Sequence, residues 1–227
     1  MTLRRRPPVL FCAANLLETT VTDVTAEKLR EIYPTPHPRV IAKARPTLDT
    51  HSSKFISLSP FCVLASSGPD GTVDASPRGG GVGFVQIASP TELRLPDRPG
   101  NNRIDTFQNV LNGSGHVQLI FFVPGIDDTL RVSGVATLSK DPELMATMEE
   151  FGKPPRAVLC ITVTEAYFHC GKALMRSKLW SPDVQVKRDV MPSISEMVFD
   201  QTKADTKPEG DKPMSQGEIE VAYRKNL

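Results

Sequence analysis

The chain is poor in several features that would commit it to a class. Its 227 residues carry one tryptophan, three tyrosines and four cysteines. Cys12, Cys62, Cys160 and Cys170 are widely spaced with no C-x-x-C pair, which argues against a zinc knuckle or a dithiol redox motif and leaves reduced, mostly buried thiols. An excess of one charge is also missing: 27 Lys and Arg stand against 26 Asp and Glu, a formal net charge of +1. Nothing in that balance draws the chain to nucleic acid. No apolar run is long enough to span a bilayer. Neither a G-x-x-x-x-G-K-[ST] loop nor a strand-linked G-x-G-x-x-G fingerprint is present, which disfavours the nucleotide folds that use them. No internal repeat is evident. What remains is an ordinary globular composition, 39% hydrophobic, of a length that fits one domain with extensions.

The N-terminal LRRRPPVLFCAANLLE places basic residues before an apolar stretch. That stretch is short, broken by Asn15 and preceded by Pro7 and Pro8, so it reads as a peripheral extension of a cytoplasmic protein, with an organellar presequence as the alternative. TAEKLREIY, residues 25–33, reads as a short amphipathic helix with Leu29, Ile32 and Tyr33 on one side, stopped by PTPHPR. Asp49 to Ser57 reads as a second helix that carries Phe55 and Ile56 to the core. The centre is punctuated as a β meander: PFCVLASS, TVDAS, VGFVQIAS, ELRLP, HVQLIFFVPG, TLRVSGVATLS and RAVLCITVTEAYFH. SKDPELMATMEEFG interrupts it as a helix with Asp141 as N-cap, Pro142 at N1 and Gly152 as its stop. Six to seven strands with few helices predict a closed or nearly closed antiparallel barrel, a mainly β (α+β) fold with peripheral helices. The expected division is an extension with a short helix over 1–48, a barrel domain over 49–182 and a polar tail over 183–227. Within the tail, 202–213 reads as loosely packed and Ser215 to Tyr223 as a last helix.

Three strings carry the candidate chemistry. LRLPDRPGNNRIDT, residues 93–106, joins a strand to a helix with Asn102 as N-cap, Asp105 at N3, and Ile104, Phe107, Val110 and Leu111 on one face. Its free N–H groups, bracketed by Arg98 and Arg103, suit a phosphate. The alternative is a capped surface helix whose arginines pair with Asp97 and Asp105. DASPRGGGVGFV sets Ser76 and Arg78 before four glycines, which let the backbone approach a flat or charged ligand or simply make a turn. HCGKALMRSKLW places Lys172 and Arg176 four apart, on one face if helical, near Trp180; the alternative is a solvated face beside a core tryptophan. His169 and Cys170 are neighbours on a strand and point to opposite faces, which argues against a shared metal or nucleophile role.

In order and wording, SPRGG-x-GFV, LPDRPGNNR-x-DT, LRVSG and HC-x-KAL-x-RS-x-LW resemble the pyridoxamine 5′-phosphate oxidase-like FMN-binding split-barrel proteins, over roughly residues 55–180. The resemblance implies a six-stranded antiparallel split β-barrel that forms a homodimer with FMN in clefts between the subunits. It implies cofactor contacts from Ser76, Arg78, Pro96, Asp97, Arg98, Asn102 and Arg103, with Asn102 and Arg103 at the phosphate. Lys172, Arg176, Ser177 and Trp180 would close the site, from either subunit. Arg131 lies on a strand that in the family faces the cleft. An FMN-dependent oxidoreductase follows, acting on an unidentified small molecule with a nicotinamide cofactor or a reduced deazaflavin as donor. The alternative is a non-catalytic flavin- or haem-binding module on the same fold. Two departures stand out: Gly80 replaces an acid in the related SPRGD string, and the chain ends in YRKNL where the vitamin B6 enzymes carry an Arg-Leu-x-Pro segment. Vitamin B6 synthesis is therefore not expected.

Overall fold

The computed structural model describes residues 25–150, 152–202 and 210–225. The basic N-terminal run, and most of the stretch read as loosely packed, lie outside the described residues. Contacts divide the chain into Met1–Ile41 and Ala42–Leu227.

In the first unit the helix expected over 25–33 shrinks to α1 (Leu29–Ile32), and its apolar side chains Leu29, Ile32 and Tyr33 are exposed. Four residues are too few to sustain a helix by local bonds alone. A second short helix, α2 (Pro38–Ala42), begins on the third proline of the run read as a stop, with no buried residue. Proline is well placed there, because a first-turn N–H has no helical partner to lose.

The second unit opens with α3 (Thr50–Leu58). Asp49 caps it by accepting from Ser52 N at 2.8 Å, and the Ser52 hydroxyl answers the Asp49 N–H at 3.1 Å. Phe55 and Ile56 are buried, as expected of this helix. Then come β1 (Phe61–Ser67), β2 (Val73–Gly79), β3 (Gln86–Ser89), β4 (Glu92–Pro96), α4 (Asp105–Asn112), β5 (His116–Val123), β6 (Ile126–Ser139), α5 (Pro142–Ala146) and β7 (Val158–His169). After them follow α6 (Lys172–Ser177), two 3-10 turns, α7 (Ile194–Gln201) and α8 (Gln216–Arg224). The strands form one antiparallel sheet in the order β2-β1-β5-β6-β7-β4-β3.

The expected six-stranded barrel is thus a seven-stranded open sheet. The edges are β2 and β3, which do not pair with each other. The physical reason lies in β3: it has four residues, pairs only with β4, and breaks register between Ile87 and Ser89. Alternation fixes the core face: Cys62 and Leu64 of β1, Val117, Leu119 and Phe121 of β5, Leu130 and Val132 of β6, and Leu159 and Ile161 of β7 are all buried. At Gly134 the β6 register shifts, and a Cβ there would strike Thr162 O and lie 2.7 Å from Ile161 Cγ2. Only glycine fits so close an approach.

Asp141 caps α5 as expected, accepting from Glu143 N at 2.9 Å, but the helix stops at Ala146 instead of continuing to Gly152. Beyond it Glu150 and Lys153 bond back to back through their main chains. In the tail, Ser215 caps α8 with Glu218, and α7, which the sequence reading left unassigned, has the same box between Ser193 and Glu196. The Ser193 hydroxyl donates to Met214 O at 2.7 Å, tying the two helices' starts together. Among the described residues no helix is long and apolar enough to cross a membrane.

Candidate functional site

The β2 strand SPR motif faces α4. Asp74, Ser76 and Arg78 alternate along β2, so all three side chains leave the same face. They converge on one hydroxyl, that of Thr106 in the first turn of α4, which is 2% exposed. Thr106 Oγ1 donates to Asp74 Oδ2 at 3.1 Å and accepts from Arg78 Nη2 at 3.2 Å, with Ser76 Oγ at 3.4 Å. A hydroxyl has one proton and two lone pairs, so this one hydroxyl can serve all three. The guanidinium of Arg78 also lies 3.7 Å from Asp97 Oδ1 and 5.9 Å above the Phe107 ring.

The turn between β4 and α4 departs from the expected cap. Asn102 is not the N-cap; α4 starts at Asp105, and the capping position falls to Ile104, which makes no side-chain cap bond. Asn102 and Ile104 both take left-handed backbone, φ 57° and 54°. Asparagine tolerates that region, whereas a β-branched isoleucine is strained in it. The start of the turn is fixed by main-chain pairing. Asp97 N donates to Ala157 O at 2.9 Å and accepts at its carbonyl from Arg156 N at 3.2 Å. The apolar stripe read for α4 is correspondingly narrower: Thr106 and Val110 are buried, while Ile104 and Leu111 are exposed.

Around this turn lies a cavity of about 360 Å³, bounded by Asp74 to Arg78, Asp97, Arg98, Gly100 to Phe107 and Arg156. Of the eleven predicted residues it brings together Ser76, Arg78, Asp97, Arg98, Asn102 and Arg103. Arg98 is largely committed elsewhere: its Nη2 donates to Met148 O at 2.7 Å, its Nη1 to Lys153 O at 3.2 Å, and Glu150 Oε2 lies 3.2 Å away. Arg103 pairs with Asp105 at 2.7 Å. The ion-pair alternative is therefore partly realised, with Arg78 rather than Arg98 or Arg103 against Asp97. The Nε atoms of Arg78 and Arg98 are buried without a hydrogen-bond partner, a costly state for a cationic donor. Burial pushes the Asp97 carboxyl above its ordinary value, against the opposing pull of Arg78, Arg156 and Arg98. Burial likewise pushes the nearby Cys62 thiol up to about 12, so it stays protonated and inert.

Arg156 and Thr106 were missed by the sequence reading. Arg156 sits just before β7, and its Nη1 donates to Asn102 Oδ1 at 2.9 Å. The remaining predicted residues do not line this cavity. Pro96 is buried at the end of β4. Lys172 and Arg176 share one face of α6, as their spacing predicts, and both are exposed. Ser177 Oγ donates to Leu174 O at 3.0 Å, and the indole of Trp180 donates to Ile126 O at 3.0 Å. Trp180 is half-buried beside the β5–β6 turn and is not part of the core.

Arg131 belongs to the opposite face of the sheet. Arg78 pairs with Cys62, Cys62 with Phe121 and Phe121 with Leu130, so these four point one way and Arg131, one residue on, points the other. There Arg131 donates to Gln118 Oε1 at 2.6 Å and approaches His169 Nε2 at 3.4 Å, with its guanidinium 5.3 Å from the Tyr167 ring. Burial, with Arg131 and Lys43 adding to it, lowers the His169 pKa. Among the described residues no three His, Cys, Asp or Glu side chains gather as a metal site.

Comparison with known proteins gives the chain a family. Similar solved structures include HupZ from Group A Streptococcus, 14% identical over 52% of this chain and 91% of that one, with a TM-score of 0.42. A putative pyridoxamine 5′-phosphate oxidase from Lactobacillus delbrueckii is 19% identical over 54% and 95%, with a TM-score of 0.43. The FAD binding protein of Mycobacterium smegmatis is 11% identical over 55% and 97%, with a TM-score of 0.39. No curated protein matches. The profile described as pyridoxamine 5′-phosphate oxidase matches residues 48–170, a span that holds all seven strands and the cavity, and the chain belongs to that family.

Proposed function

We propose that this protein is an FMN-binding flavoprotein whose cavity at the β4–α4 turn takes the phosphate and ribityl end of the cofactor. The observation that supports this most directly is the convergence of Arg78, Arg98, Arg103 and Arg156, from β2, the turn and the segment before β7, on one hollow. Guanidinium forks and the free N–H groups at the start of α4 favour the same ligand, an oxyanion such as a phosphate. Haem suits the cavity less well, since none of the described residues lining it is His, Cys, Met or Tyr, the usual axial ligands.

When bound, FMN supplies redox chemistry; the chain's part is to hold and orient it and to set the charge around it. Arg78 is anchored for that by Thr106 and Asp97. We further propose a homodimer. The open sheet face that carries Gln118, Ile120, Phe122 and Arg131 is half-buried and is the proposed seat of the second copy; Lys172, Arg176, Ser177 and Trp180, which do not line their own chain's cavity, are proposed to close the partner's. The activity proposed is that of an oxidoreductase acting on a small molecule, with NAD(P)H as donor.

Adding NADPH or NADH to the FMN-loaded protein under nitrogen, then admitting a quinone, tests the activity. Bleaching of the flavin followed by recovery of its colour supports an oxidoreductase. Bound FMN that never bleaches with either nicotinamide contradicts the nicotinamide-linked activity.

A further inference from the structure

Four guanidinium groups face the cavity, and three already have carboxylates. Arg78 has Asp97 at 3.7 Å, Arg98 has Glu150 at 3.2 Å and Arg103 has Asp105 at 2.7 Å. Arg156 has none within 4 Å among the described residues; its partner is the neutral amide oxygen of Asn102 at 2.9 Å. With Asp74 also on the cavity wall, the four arginines face four carboxylates, so the hollow holds no general surplus of positive charge. Selection of an anion there rests on the cation that is free.

Arg156 is also held in place. Its N–H donates to Asp97 O at 3.2 Å, and Asp97 N to Ala157 O at 2.9 Å, which continues the β4–β7 ladder one step beyond Pro96 and Val158. Pro154 and Pro155 precede it and stiffen the segment that leads to it. The guanidinium itself is exposed at the cavity wall. An arriving oxyanion need displace only an amide from Arg156, whereas at Arg103 it must compete with a carboxylate. Asn102 loses nothing in the exchange, because its amide carries both an acceptor and donors and can turn its N–H groups to the same oxyanion.

Resting on the flavin reading, we propose that Arg156 is the residue that selects for the phosphate: it makes the charge-assisted contact that distinguishes a phosphorylated ligand from its unphosphorylated counterpart. Arg78 and Arg98 are anchors of the cavity wall.

Titration of the full-length protein and its Arg156→Gln and Arg156→Lys variants with FMN and with riboflavin tests this. Loss of one charge-assisted contact predicts that Arg156→Gln lowers FMN affinity about tenfold or more. Riboflavin affinity stays as in wild type, and Arg156→Lys recovers part of the loss. Equal losses for both flavins, or no loss for FMN, overturn the assignment. If wild type binds neither flavin, the flavin reading fails by itself. Inorganic phosphate, followed by calorimetry, then decides the role of Arg156: binding that Arg156→Gln abolishes and Arg156→Lys retains upholds it, and any other result overturns it.

Discussion

Glu150 links the glycine-rich turn to Arg98. One carboxylate oxygen stands 3.2 Å from Arg98 Nη2 and the other accepts the N–H of Gly81. The same side chain fills the space beside Gly80, where a Cβ would meet Glu150 Oε2 at 3.0 Å and Phe84 Cβ at 2.8 Å. In this chain the charge beside the turn comes from residue 150, and Gly80 is what makes room for it.

Gly80→Asp should therefore destabilise the protein, setting a second carboxylate against Glu150 and crowding Phe84. The expected cost is about 1–3 kcal/mol, typical of overpacking, read from urea unfolding. Adding Glu150→Ala to Gly80→Asp should recover part of that loss. A double variant less stable than Gly80→Asp alone contradicts the exchange.

Arg103 makes a different case, since its side chain is 64% exposed and buries little apolar surface. Arg103→Ala should leave the melting temperature within about 2 °C of wild type, in line with the small worth of exposed ion pairs. FMN affinity should fall about three- to tenfold, less than for Arg156→Gln, because Asp105 already shares the charge. Unchanged FMN affinity removes Arg103 from the site.

The α3 cap predicts a pH dependence. Hydrogen bonds from the Ser52 side chain and backbone hold the Asp49 carboxyl below its ordinary value. A carboxyl lowered on folding stabilises fully above its unfolded value and loses that contribution as pH falls through its folded value. Asp49→Ala should cost about 1 kcal/mol at neutral pH, the usual worth of an N-cap. The gap between the two proteins' urea midpoints should close on acidification. A gap constant with pH would show that the carboxylate is not the source.

Much of this architecture was legible because each level of the chain agrees with the next. HVQLIFFV reads as a strand and becomes β5 with alternate residues buried; the helix read over Asp49 to Ser57 becomes α3, with Asp49 just outside it as the cap. The start of α4 was misread because local preference lost to tertiary pairing. Asn102 has the chemistry of an N-cap, but the bonds joining Asp97 to Arg156 and Ala157 fix the turn, and Ile104 is carried into a backbone region it disfavours. Arg156 was missed because RAVLC reads as the opening of a strand. The two prolines before it were the available signal that the arginine stands just outside the ladder. Thr106 looked like one more helical residue; its role as the shared partner of Asp74, Ser76 and Arg78 comes from the approach of α4 to β2, which no local pattern encodes. The seven strand-like runs were visible; the barrel that both the strand pattern and the resemblance implied is instead an open sheet, because β2 and β3 remain unpaired edges.

The most direct test of the flavin reading is an absorbance spectrum of the purified protein, incubated with FMN and passed over gel filtration. The account predicts flavin bands that co-elute with a dimer, near one FMN per chain, and that weaken sharply in Arg156→Gln. A colourless protein peak, with all the FMN eluting later as free dye, would contradict it.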